Sequence, residues 1–274
     1  MPHPAQSAII AQVPATTFYQ RRIRHAGQLA SQHPFAAEVL GFYVHIARFQ
    51  QALHDRLEKA PAPASVAETP RFAALGASFH QFLSIVEEHG PARVASAAHE
   101  LRSANSKVIS DLLSAVWNSA ADAPSTPEEF LAFAFLQPYA ESARSHAHLQ
   151  LENYTHPLCP FCNRKPAIAA LRPMGDGAQR KLLCGFCLAE WDFRRIVCPN
   201  CGEENHARLP VYTAETLPYI RVECCDSCRV YIKSIDLSKN GLADPLVDEL
   251  ASIPLDLWAQ EHGYTKLRPN LLGM

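Results

Sequence analysis

The sequence predicts an α+β protein that is mostly α: an N-terminal helical bundle, then two four-cysteine modules in series, then a C-terminal helix. Three observations lead there. Apolar residues recur at helical spacing from position 16 to about 150; all nine cysteines lie between Cys159 and Cys228; and a helical period returns from Asp244 onward.

In chain order, residues 1–15 hold three prolines and no periodicity and read as a loose arm. A short helix follows from Thr16 to about Ser31, with Arg21, Arg22 and Arg24 on a solvated face. Phe35, Val39, Phe42, Tyr43, Ile46, Phe49, Leu53 and Leu57 predict a helix over 34–59, with Pro34 suited to its first turn. A Pro/Ala linker occupies 61–70. Thr69-Pro70 opens a helix carrying Phe72, Leu75, Phe79, Leu83 and Val86, closed by Gly90-Pro91. One long helix is expected over 92–119, with Val94, Leu101, Val108, Leu112 and Val116 inward. After another loop, Thr126-Pro127-Glu128-Glu129 is an N-cap with acids in the first turn. Its helix carries Phe130, Phe133 and Leu136, with a kink expected near Pro138 and an end near Gln150. The aromatic stripe on these helices reads as core packing.

From Cys159 the texture changes. Eight cysteines form four C-x-x-C pairs, Cys159/Cys162, Cys184/Cys187, Cys198/Cys201 and Cys225/Cys228. Each such turn brings two sulfurs to one side of a tight loop and supplies half of a tetrahedral metal site. The intervals within the first two and the last two pairs are similar, and the gap between the halves is short. The pattern therefore reads as two consecutive modules of the rubredoxin-like or zinc-ribbon layout, each ligating one ion; a cross-braced pairing ranks second. Short strands are expected at 167–172, 182–183, 211–212, 219–223 and 229–237, with Glu190 to Arg195 packing between the modules. Cys224 reads as a passive neighbour that strand alternation turns away from the metal. His146, His148 and His156 read as structural or surface residues, since eight sulfurs suffice for two ions. The tail, Asp244 to Trp258, is helical with a break near Pro254, and the last residues are extended. The expected division is 1–150 helical domain, 151–196 first module, 197–240 second module, and 241–274 helix and tail.

Composition narrows the function. The chain has 274 residues, 48% apolar and 19% charged, with net charge −2. From Cys159 to Ile235 there are 11 Lys+Arg against 8 Asp+Glu. Eight thiolates on two divalent ions turn that excess to roughly −1, so a zinc-ribbon nucleic-acid binder is disfavoured. No secretory signal or run of apolar residues long enough to span a bilayer is visible, and clustered cysteines without a signal predict metal thiolates in the cytoplasm. Four thiolates suit Zn²⁺ or a single Fe. A complete S₄ shell has no open coordination position, and no phosphate loop, nucleophile elbow or HExxH is present, so the expected protein is not an enzyme.

The stretches CPFC, LCGFCLAEWDFRRIVCPNCG, VECCDSCRVYIKSIDL and VDELASIPLDLWAQEHGY resemble the formate dehydrogenase accessory (formation) proteins of the FdhE family. The likeness is strong over 159–264 and looser in the helical half, through HPFAAEVLGFYVHIARFQ. It implies a helical N-terminal domain and two rubredoxin-like modules. Cys159, Cys162, Cys184 and Cys187 would hold one ion, and Cys198, Cys201, Cys225 and Cys228 the other, with iron favoured over zinc. It also implies a cytoplasmic, non-catalytic accessory role in biogenesis of respiratory formate dehydrogenase, with the molybdenum-containing catalytic subunit as partner; a homodimer is left open. A rubredoxin-type electron-transfer protein is the alternative.

Overall fold

A computed structural model describes residues 15–59, 71–119, 124, 126–147, 149 and 151–270. The expected N-terminal arm, the Pro/Ala linker, most of the loop at 120–125, and His148 lie outside the described residues. The helical half comprises α1 (Ala15–Gln32), α2 (Ala37–Lys59), α3 (Gly76–His89), α4 (Ala92–Arg102), α5 (Ser106–Asn118) and α6 (Pro127–Ser145). A short 3-10 turn at Pro34–Ala36 leads into α2, consistent with the fixed φ of Pro34.

The helix expected over 92–119 is two helices. Asn105 accepts a hydrogen bond from the Val108 amide and starts α5 afresh, so Val108, read as inward, is half-exposed. Phe35 is likewise exposed. α6 begins at the expected cap, the Thr126 hydroxyl accepting from Glu129 N–H, and ends at Ser145 rather than Gln150. Pro138 sits inside it and has no N–H for the Ala134 carbonyl. Gln50 of α2 takes that carbonyl instead: its Nε2 donates to Ala134 O at 2.7 Å and to Gln137 Oε1 at 2.9 Å. Around this polar pair the core is aromatic, with Phe79 and Phe135 ring centroids 4.9 Å apart and Phe49 and Phe82 5.2 Å apart.

The cysteine half is built on one sheet: β1 (Ile168–Met174), β2 (Gly177–Leu183), β3 (Glu190–Asp192), β4 (Val211–Ala214), β5 (Leu217–Cys225), β6 (Val230–Asp236) and β7 (Thr265–Lys266). Strand order is β3-β2-β1-β6-β5-β4, with β7 on β6. Each module contributes an antiparallel hairpin, and the parallel pairing of β1 with β6, Ala169 opposite Ser234, fuses the two. One sheet face packs on the helical bundle through Ala169, Leu182 and Ile232. The other carries Ile168, Ile220, Val222 and Tyr231 against Leu255 and Ala259 of the tail.

The tail helix is also two, α7 (Pro245–Ala251) and α8 (Ile253–Glu261), separated at Ser252 just before Pro254. α7 returns to α1 and α2, where Val247, Leu250 and Ala251 pack on Ala26, Leu40 and Tyr43. That return corrects the reading of Arg22 as solvated: it is buried, with its Nε 3.3 Å from Asp244. Beside it, Asp248 accepts from Tyr219 at 2.8 Å and meets His25 Nε2 at 2.8 Å.

A buried charge network ties β6 and β7 to both tail helices. Lys233 Nζ lies 2.7 Å from Asp256 Oδ2, 3.0 Å from Glu249 Oε1 and 2.9 Å from Ser252 Oγ. Lys266 pairs with the same two carboxylates, and Tyr231 donates to Asp256 Oδ1 at 2.8 Å. Burial opposes the charge on Glu249, but Lys233 and Lys266 hold its carboxyl down at about 2. Lys233→Met should leave one cation for two buried carboxylates and cost about 3 kcal/mol or more in urea unfolding; an unchanged midpoint would show that the network adds no stability.

Candidate metal centres

All four C-x-x-C turns share one backbone device. The residue after the second cysteine, Asn163, Leu188, Gly202 and Arg229, has φ of 56°, 57°, 77° and 56° respectively. This left-handed step folds the chain back under the sulfurs. The amides of Asn163, Gly202 and Arg229 donate to the carbonyls of Cys159, Cys198 and Cys225 at 3.0, 3.0 and 2.8 Å. Asn163 and Gly202 suit the conformation, whereas Leu188 and Arg229 pay a steric penalty that their surroundings offset. Leu188 is buried, and Arg229 lays its guanidinium 3.9 Å over the Tyr264 ring and donates to His262 O at 2.6 Å.

The sulfurs gather in consecutive pairs of turns, and the crossed arrangement is not formed. Cys159, Cys162, Cys184 and Cys187 form one group and Cys198, Cys201, Cys225 and Cys228 the other, with all sulfurs of a group within 4.8 Å of one another. Cys159 to Cys187 and Cys162 to Cys184 are both 3.4 Å; Cys198 to Cys228 is 3.7 Å and Cys201 to Cys225 is 3.6 Å. A tetrahedron with metal–sulfur bonds of about 2.3 Å has edges of about 3.8 Å, so the spacings fit a four-coordinate ion. Amides already point at sulfur, Phe186 N to Cys184 Sγ and Asn200 N to Cys198 Sγ, each at 3.4 Å, which favours thiolate. Thiols this close cannot all ionise without a cation among them: hydrogen bonding to Cys162 pushes Cys159 up, while the reciprocal contact pulls Cys162 down. Each group can hold one metal ion.

The two groups sit in different surroundings. The first is part of the main core: Cys159, Cys184 and Cys187 are buried, and Phe186 inserts between the helices, 4.8 Å from the Phe133 ring and 5.9 Å from that of Trp117. Gln137 donates to Gly185 O at 2.8 Å and Arg144 to Cys187 O at 2.9 Å, so α6 holds this turn by its backbone. Arg164 lies 4.0 Å over the Phe186 ring and donates to Val116 O, closing the end of α5. A Cβ on Gly185 would come within 2.9 Å of Ala167 Cβ, which explains the glycine. The second group faces outward, with Cys201 exposed and Cys228 half-buried.

Cys224 belongs to neither group. It opposes Tyr231 and packs on the tail side of the sheet, where burial pushes its thiol up to about 12. His146 bonds Ser142 O, and His156 offers its carbonyl to Trp191 Nε1, so neither joins a sulfur group. Sequence reasoning did not anticipate Arg164, Gln137 or Gln50 as supports. The only available signal was Pro138, whose missing N–H demands an outside donor.

A helical bundle with two S₄ groups on a shared sheet, each able to hold a metal ion, defines a protein with two modules of the rubredoxin-like or zinc-ribbon type. Residues 196–272 match the family model described as FdhE, C-terminal domain. The chain is 31% identical over 264 residues to the FdhE homolog of Aquifex aeolicus, covering 89% of this chain and 92% of that protein. It is 27% identical to the homolog of Haemophilus influenzae over 93% of this chain and 90% of the other. The crystal structure of the FdhE protein from Pseudomonas aeruginosa superposes with a TM-score of 0.69 at 27% identity, covering 94% of this chain and 96% of that one. The chain belongs to the FdhE family.

Cys201→Ser should lower bound metal from two ions to one per chain and leave the helical circular dichroism unchanged. Cys184→Ser should lose its ion and also lower the melting temperature of the helical half. Equal effects of the two substitutions would contradict the assignment of the first group to the core.

Proposed function

We propose that this protein is a non-catalytic, cytoplasmic accessory factor for maturation of a respiratory formate dehydrogenase, docking the molybdenum-containing catalytic subunit before export. Membership of the FdhE family is the observation that carries this reading. The eight cysteines Cys159, Cys162, Cys184, Cys187, Cys198, Cys201, Cys225 and Cys228 would hold two ions, iron favoured and zinc the alternative. Four sulfurs per ion fill a tetrahedral shell, so neither site offers a position for a substrate oxygen. When bound, the ions supply cross-links, and an iron ion also a one-electron couple. The chain's own residues then have positional tasks: Gln137, Arg144 and Arg164 fix the first turn, and Arg229 fixes the last against the tail.

Among the described helices none is long and apolar enough to cross a membrane. A second reading, electron transfer to a partner enzyme, is favoured by the exposed position of Cys201, which brings one site to the surface.

Immobilised full-length protein, prepared without air, should retain the catalytic subunit of a formate dehydrogenase from lysate of the same cells. Recovery of none, with or without air, would contradict the docking reading. Metal analysis of the retained complex separates the two readings, because zinc at both sites excludes electron transfer through them.

A further inference from the structure

One sheet face is not fully covered. Beyond the helical bundle it opens into a cleft of about 340 Å³ beside the second cysteine group. Its floor is Leu171, Val230 and Ile232, and one wall is the connecting segment Ile196–Pro199. The apolar rim is exposed, Ile196 at 57% and Val211 at 44%. Set in this apolar surface are Arg180, Arg195 and Arg221 with a single acid, Glu223. Arg180 is committed, its Nη2 being 2.7 Å from Glu223 Oε2. The side chain of Arg221, half-buried, makes no hydrogen bond or ion pair among the described residues.

Among the described residues the cleft also adjoins a backbone edge that no strand pairs with. β4 is the last strand of the sheet on that side. Cys224 N–H donates to Pro210 O at 2.9 Å, and hydrogen-bonded and non-bonded pairs alternate along an antiparallel ladder. Val211 and Thr213 therefore turn their amides and carbonyls outward. These two residues oppose Glu223 and Arg221, so a strand added to β4 would carry every second side chain over the cleft.

We propose that this cleft and the β4 edge form a docking site for an extended segment of a partner polypeptide, with apolar side chains and an acidic group. The apolar side chains enter the cleft, the carboxylate meets Arg221 and Arg195, and the segment's backbone pairs with Val211 and Thr213. The excess of arginine over glutamate in an apolar site selects the acid, and the open strand edge selects a polypeptide over a free small carboxylate. The inference rests on the docking reading above and names the surface and partner chemistry for it.

The test is fluorescence anisotropy of metal-loaded full-length protein with a short labelled peptide of alternating leucine and glutamate, and with its leucine and lysine counterpart. The glutamate peptide should bind, weaken as salt is raised, and lose about tenfold in affinity with Arg221→Glu. Metal content serves as the folding control. Arg195→Glu, at an exposed position, repeats the test if Arg221→Glu fails that control. Equal binding of the two peptides, unchanged affinity in the variants, or binding of decanoate without the peptide overturns the inference. Capture of the catalytic subunit that persists in Arg221→Glu also overturns it while leaving the docking reading intact. If the wild-type protein captures nothing, the docking reading fails, and the peptide titration still decides whether the cleft binds.

Discussion

The structure depends on the way α6 grips the C-G-F-C turn of the first cysteine group. Pro138 deprives the Ala134 carbonyl of its helical partner, and Gln50 fills the gap, simultaneously orienting Gln137. Gln137 then donates to Gly185 O, inside the turn between Cys184 and Cys187. A buried amide chain thus runs from α2 through α6 into a metal-site loop, in surroundings where an unsatisfied polar group costs on the order of 1–3 kcal/mol. Phe186 drives the same contact from the apolar side, filling the space between Phe133 and Trp117. The helical half and the cysteine half are consequently one core.

From that joint the rest of the architecture follows. The first group fixes β1 and β2, β1 pairs with β6, and β6 carries the second group at its start. Lys233 on β6 then holds the tail, and the tail returns to α1 through Asp244 and Asp248. The burial of the first group suits a structural ion. The second group is tied to the tail through Arg229, which donates to His262 O, and it has Cys201 exposed at the surface.

Much of this was legible in the sequence. The four C-x-x-C turns declared themselves by spacing, and their similar intervals favoured consecutive pairing, the arrangement the sulfurs adopt. Cys224 followed from strand alternation alone. Local helix signals also served well at Pro34 and Thr126. What was hidden is long-range. The break at 103–105 depends on the small side chain of Asn105 outcompeting a continuous helix, which apolar periodicity does not register. Arg22 looked solvated because its partner, Asp244, lies 222 residues away. The fusion of the modules into one sheet rests on the parallel β1–β6 pairing, and parallel pairing between distant strands carries no turn signature.

The first sulfur group shares one core with α5 and α6, and these elements should open as one cooperative unit. Amide hydrogen exchange before and after removal of metal by a chelator tests it most directly. Protection lost around Cys159–Cys187 should spread into α5 and α6, through Phe186, Arg164 and Gln137. Loss confined to the cysteine turns, with both helices as protected as before, would contradict it.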